Sequence, residues 1–183
     1  MRTKHARDPE RRQRIVNSCL DSIVEYGVAG TSHRKIAALA DVPLGSMTYY
    51  FDGMEDLLRE AFGLFVEERT AELGQLMGDV ESAEQLRDRY VSYVSDVLLD
   101  SHRNLVLTLE LYTLAARKPD FRTLTGGWMA ETQEALGRFV DEETAVHLDA
   151  LIEGLSLHRA LGQGGMDRTF VERAFDRVMG VSA

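Results

Sequence analysis

The chain has 183 residues, 44% hydrophobic and 28% charged, with three prolines and a net charge of −9. These values exclude a disordered or fibrous chain and allow one large domain or two small ones with an ordinary buried core. The charge is uneven: residues 1–50 hold eight Arg/Lys against five Asp/Glu, a net +3, which leaves −12 for the other 133 and orients the head toward a polyanion.

Arg2, Lys4 and Arg7 form a basic arm ahead of any helical pattern. Asp8 reads as an N-cap and Pro9 as the first helical residue, with Glu10 near the positive end of the helix dipole. The apolar face of this first helix is Ile15, Val16, Cys19, Leu20, Ile23 and Val24, and Gly27 is placed to end it in the left-handed conformation. Cys19 is the single cysteine and is expected to be a packed thiol. Thr31 or Ser32 caps a second helix, in which Ile36, Leu39 and Ala40 make one apolar face. Asp41, Val42 and Pro43 predict a turn, because proline lacks an amide hydrogen and disfavours helical geometry in the residue before it. Leu44 to Tyr50 then supply a glycine and several hydroxyls on about two helical turns, suited to close approach to a polar surface. A brace helix, a turn and a second short helix are the layout of a helix-turn-helix, whose second helix enters the major groove.

After Phe51, Asp52 and Glu55 have capping-box spacing and Leu57, Leu58, Ala61, Phe62, Phe65 and Val66 form a stripe, predicting a fourth helix to about Gly78. Ser82 and Gln85 are spaced as a second box, opening a fifth helix with Leu86, Tyr90, Val94, Val97 and Leu98; His102 and Arg103 fall in the break that follows. Leu105 to Ala116 is apolar on nearly every side and is expected to be the most buried helix of the body. After Pro119, a seventh helix is expected to bend or break at Gly126-Gly127. Glu142 to Gln163 and Asp167 to about Met179 make the last two. Their apolar surface exceeds the need of one small body, and Leu148, Leu151, Ile152, Leu155, Phe170 and Phe175 are expected to bury it in a homodimeric four-helix interface, with a thicker monomer core as the alternative. No strand-like alternation is present. The expected fold is all-α with about nine helices, a helix-turn-helix domain over 1–51 and a helical ligand-binding and dimerisation domain over 52–183.

No apolar run approaches the roughly 20 residues a membrane helix needs and no signal-peptide core follows the N-terminus, so a cytoplasmic protein without a membrane partner is expected. His5, His33, His102, His147 and His158 are scattered, and there is no metal-ligand spacing, phosphate-cradling glycine loop or nucleophile elbow. No enzyme activity, metal or cofactor is expected. Tyr90, Tyr93, Tyr112, Trp128 and Met129 suit a small-molecule effector that is mostly apolar with one polar handle. Glu110 shares a helical face with Thr113 and Arg117 and reads as part of a solvated stripe.

Gly27, Thr31-Ser32, Ile36-Ala37, the turn at Asp41 to Pro43, Gly45-Ser46-Met47, Tyr49-Tyr50-Phe51 and Glu55-Asp56-Leu57-Leu58 carry, in order and spacing, a pattern that resembles the TetR family of bacterial transcriptional regulators. The resemblance covers the first third of the chain; the remainder is similar in helix count and layout. It implies that helices one to three bind an operator in double-stranded DNA, helices four to seven enclose an effector, and the last two form the homodimer. The expected DNA-binding residues are Arg2, Lys4, Arg7, Ser32, His33, Arg34, Leu44, Gly45, Ser46, Thr48, Tyr49 and Tyr50. Two positions depart from the family: Met54 stands where many members have lysine, and Thr48 where they often have an aromatic residue. No Arg, Asn or Gln occupies the recognition helix to name a base, and Leu44 can instead meet a thymine methyl. The expected activity is that of a repressor released by a small molecule; a helical protein-interaction module without DNA binding is the alternative.

Overall fold

The computed structural model describes residues 9–96, 102–162 and 166–180. The described residues form nine helices: α1 Pro9–Gly30, α2 His33–Leu39, α3 Gly45–Tyr50, α4 Met54–Met77, α5 Ala83–Asp96, α6 His102–Ala115, α7 Pro119–Gly137, α8 Glu142–Ala160 and α9 Arg168–Met179. They divide into two compact units. One comprises the residues through Val66 together with Val106–Leu124, and the other Glu67–Leu105 with the residues from Thr125 onward. The boundary expected after residue 51 follows the motif alone, whereas the first compact unit also takes the first half of α4 and most of α6.

In the first unit, the predicted face of α1 is buried at Ile15, Val16, Cys19, Leu20 and Ile23, and it packs on α2. Burial pushes the Cys19 thiol up to about 12, so it stays neutral and unreactive. Gly27 has φ 68 and ψ 169, and the chain resumes helical geometry after it to Gly30. Gly27 therefore kinks α1 instead of ending it. Ser32 is the N-cap of α2, accepting the Lys35 amide at 3.3 Å. Thr31 does not cap the helix. Its hydroxyl donates to the Gly27 carbonyl at 2.9 Å and lies 3.1 Å from the Ser22 hydroxyl, tying the kink to the α1–α2 joint. The predicted turn is present, with Asp41 at φ 51, a left-handed conformation that Asp tolerates better than most residues.

The box at the start of α4 is closed by Asp56, whose Oδ2 accepts the Asp52 amide at 3.1 Å, while Glu55 pairs with Lys118. This bond draws the Asp56 carboxyl below its ordinary range. In the second unit, Ser82 caps α5 as expected, accepting from the Gln85 amide at 3.2 Å. His102 and Arg103 lie within α6, and α7 runs through Gly126-Gly127 without a break.

Two helices differ from expectation in burial. Leu109 of α6 is exposed, and Leu105, Val106 and Leu114 are only half-buried, so α6 is not the most buried helix. The deepest core of the second unit instead joins α5, α8 and α9, with Leu86, Tyr90, Val91, Val94, Leu148, Val171 and Phe175 enclosed together. Much of the apolar surface of α8 and α9 is used here, while Val146, Leu161 and Phe170 stay exposed. Leu148, Ile152, Leu155 and Phe175, expected at a dimer interface, are buried within their own chain, because a helix flanked by two others needs more than one narrow apolar stripe. Leu151 is half-buried in the same cluster, and Phe170 remains exposed.

Arg87 on α5 clamps Asp176 on α9 with Nε–Oδ1 at 2.7 Å and Nη2–Oδ2 at 3.0 Å. The guanidinium holds the Asp176 carboxyl below its ordinary range. A carboxyl lowered in the folded state stabilises above its unfolded pKa, and that contribution is lost as pH falls through the folded value. Asp176→Asn is therefore expected to lower the melting temperature at pH 7, with the gap to the parent chain closing below about pH 4; melts at the two pH values check this.

Candidate nucleic-acid interface

Six residues of α3 leave room for one inward and one outward face. Ser46, Met47 and Tyr50 point inward and are buried, whereas Leu44, Gly45, Thr48 and Tyr49 are exposed. Ser46 and Tyr50 are thus removed from the expected contact set: in a helix of 3.6 residues per turn, residues at i and i+4 share a side, and that side braces α3 on the body of the unit. Tyr50 has a second role, since the Tyr49 ring meets it edge-on at 4.8 Å between centroids and 85° between planes. A buried ring thereby orients an exposed one, with the geometry aromatic pairs favour. The Thr48 hydroxyl donates to the Gly45 carbonyl at 3.3 Å, within its own helix.

Around α2, Ser32 and His33 are half-buried and Arg34 is exposed. Nε2 of His33 is enclosed with no hydrogen-bond partner among the described residues. Lys35 is held intramolecularly: its ammonium donates to the Gly30 carbonyl at 2.7 Å and sits 3.8 Å from the Tyr26 ring centroid. Arg12 is likewise engaged, paired with Glu60 at 2.6 Å and 5.1 Å from the Phe51 ring centroid. Arg14 and Arg34 are exposed cations of this unit. Arg14 is not legible as one from the motif, because it belongs to α1 and only the packing of α1 turns it outward. Arg2, Lys4 and Arg7 lie outside the described residues.

The expected effector residues have different surroundings. Tyr90 is 1% exposed, its ring stacked on Phe175 at 6.3 Å and edge-on to Tyr93 at 6.3 Å. Its hydroxyl has no hydrogen-bond partner among the described residues, and burial with the nearby Tyr93 and Asp149 drives its pKa upward. Asp149, missed in the sequence because it is one of many charges on α8, accepts from Gln133 Nε2 at 2.9 Å; burial raises its carboxyl above the ordinary range. Trp128 and Met129 are half-buried on α7, and Tyr112 is half-buried on α6 in the first unit. Glu110 does not join a solvated stripe with Arg117: its Oε1 lies where a Cβ on Gly27 would come within 2.8 Å.

A capped brace helix, a tight turn and a short helix with an exposed, uncharged outer face define a helix-turn-helix DNA-binding regulator. Residues 15–61 match the family described as bacterial regulatory proteins, tetR family, and residues 81–181 match the tetracyclin repressor-like C-terminal domain. The second match spans more than half of the sequence, and the chain belongs to the TetR family of transcriptional regulators, which are DNA-binding proteins and not enzymes. A Streptomyces coelicolor A3(2) transcriptional regulator, SCO7518, is 47% identical, with a TM-score of 0.88 over 93% of this chain and 99% of that one. The multidrug binding protein EbrR, solved with ethidium, is 30% identical over 92% of this chain and 98% of that one, with a TM-score of 0.78. The regulator BetI 1 of Chromohalobacter salexigens is 25% identical over 91% of this chain and 85% of its own length. No described helix is long and apolar enough to cross a membrane.

Proposed function

We propose that this regulator is a cytoplasmic homodimeric repressor whose operator affinity falls when a small molecule occupies the helical body. The DNA contacts come from the outward residues Leu44, Gly45, Thr48 and Tyr49, with Ser32, His33 and Arg34 beside them and the arm of Arg2, Lys4 and Arg7 adding charge. Two heads in one dimer read half-sites about 34 Å or more apart. The dimer seam lies on the outer side of α8, where Val146, Ala150, Gly154, Leu157 and Leu161 recur at helical spacing, and on Phe170; Val146, Leu161 and Phe170 are exposed apolar side chains. The double change Leu161→Glu and Phe170→Glu is expected to give monomers in light scattering without loss of helicity.

The observation that carries the effector reading is the enclosed Tyr90 hydroxyl, without a partner, beside the half-buried Asp149–Gln133 pair. A buried polar group left unsatisfied costs about 1 to 3 kcal/mol, and a ligand that supplies the missing bond recovers it. Aromatic walls and a carboxylate suit an apolar cation. The EbrR structure with malachite green, at 30% identity, supports the same class of ligand. Trp128 and Met129, in the same compact unit, are further candidate contacts.

The test is calorimetric titration of malachite green into the protein, then anisotropy of a labelled operator with and without the dye. Binding that lowers operator affinity, with a coupling of about 1 to 3 kcal/mol, supports the proposal. Dye that binds without changing operator affinity reduces the body to a scaffold. Tyr90→Phe is expected to stabilise the free protein by about 1 kcal/mol in urea denaturation, by removing the unsatisfied hydroxyl, and to weaken dye binding. Operator affinity is also expected to fall steeply with salt, as phosphate contacts require; a flat response favours a protein-interaction module.

A further inference from the structure

Between Val42 and Phe51 the chain has no charged residue and no Asn or Gln, so the bidentate side-chain contacts that read guanine and adenine are absent from this stretch. The hydroxyls there are partly committed, since Ser46 is buried and Thr48 donates to Gly45. What the outer face offers instead is Leu44, which is 55% exposed and is the most exposed large apolar side chain among the described residues of its unit. A solvated leucine gains nothing for the free protein.

Gly45, next in the chain, sharpens the point. Its φ does not lie in the left-handed region, and a Cβ built on it would meet nothing within 4 Å. Neither backbone strain nor packing inside the chain calls for glycine here, and glycine is a poor helix former. Glycine leaves the outer side of this step bare and open to a surface outside the chain. In a helix-turn-helix that surface is the major groove, whose one apolar feature is the C5-methyl of thymine.

We infer that the Leu44–Gly45 step is a thymine reader: Leu44 packs on a thymine methyl in each half-site, and Gly45 lets the backbone come close enough for that contact. The inference rests on the operator-binding reading above and names the base that it selects.

The experiment starts with selection of bound fragments from random duplex DNA by the full-length protein. Each thymine of the selected operator is then replaced by deoxyuridine, which removes only the methyl, and affinity is read by anisotropy for the parent chain and for Leu44→Ala. At one thymine per half-site the parent is expected to lose about four-fold in affinity, the value of one buried methyl-sized group, whereas Leu44→Ala loses nothing there. At every other thymine the two proteins respond alike. Gly45→Ala is expected to leave the melting temperature unchanged or raised while weakening operator binding. Insensitivity of the parent to every thymine methyl, or an equal loss in Leu44→Ala, overturns the inference while operator binding stands. Selection that enriches no DNA overturns the operator reading and this inference with it.

Discussion

Phe121→Ala is expected to destabilise the chain by about 3 to 5 kcal/mol, the cost of emptying a fully enclosed phenylalanine site. Phe121 has no exposed surface, and its ring meets that of Phe62 edge-on, at 6.2 Å and 88°. The same segment makes two surface ion pairs, Lys118 with Glu55 and Arg59 with Asp120. Exposed pairs of this kind contribute about 0 to 1 kcal/mol each, so the aromatic contact outweighs both. Urea denaturation of Phe121→Ala, Lys118→Ala and Phe62→Ala separates these contributions. A loss below about 1 kcal/mol for Phe121→Ala contradicts the enclosure of this ring. The functional interest is that Phe121 fixes the 106–124 segment to the helix that follows the recognition helix, within one compact unit.

Gly27→Ala is the second large effect. The backbone at φ 68 and ψ 169 lies in a region essentially reserved for glycine, so any side chain there carries about 1 to 3 kcal/mol of strain. A Cβ would also stand 2.8 Å from Glu110 Oε1, the end of a flexible side chain that can turn aside, which makes this the smaller cost. The two costs are separable. Glu110→Ala in the Gly27→Ala background removes the clash and leaves the strain, so the double variant is expected to recover part of the loss, and the non-additivity in a double-mutant cycle measures the contact. Full recovery in the double variant would place the whole cost in the clash. Because the Gly27 carbonyl also accepts the Thr31 hydroxyl next to the Ser32 cap, Gly27→Ala is further expected to weaken operator binding.

Local rules make much of the fold legible. Helix positions follow from periodicity and caps, since Ser32 and Ser82 act within one turn of their own residues; Ser82, for example, accepts the Gln85 amide at 3.2 Å. The turn at Asp41 to Pro43 and the all-α class rest on the same short-range physics, and the spacing of the motif residues identifies the family.

Only the tertiary structure decides which residues within a recognised element face inward. Leu44, Gly45, Ser46, Thr48, Tyr49 and Tyr50 are equal candidates for DNA until packing turns Ser46 and Tyr50 to the interior and leaves Leu44 and Tyr49 outside. The apolar excess of α8 is visible in the sequence and suggests a second chain, yet α5 and α9 of the same chain absorb Leu148, Ile152 and Leu155. Glu110 has the pattern of a surface charge and lies against Gly27, 83 residues away in the sequence. The sequence determines periodicity, capping and turn chemistry because those interactions act over four or five residues. Contacts between residues far apart depend on which faces meet when helices pack, and no short window of sequence contains that information.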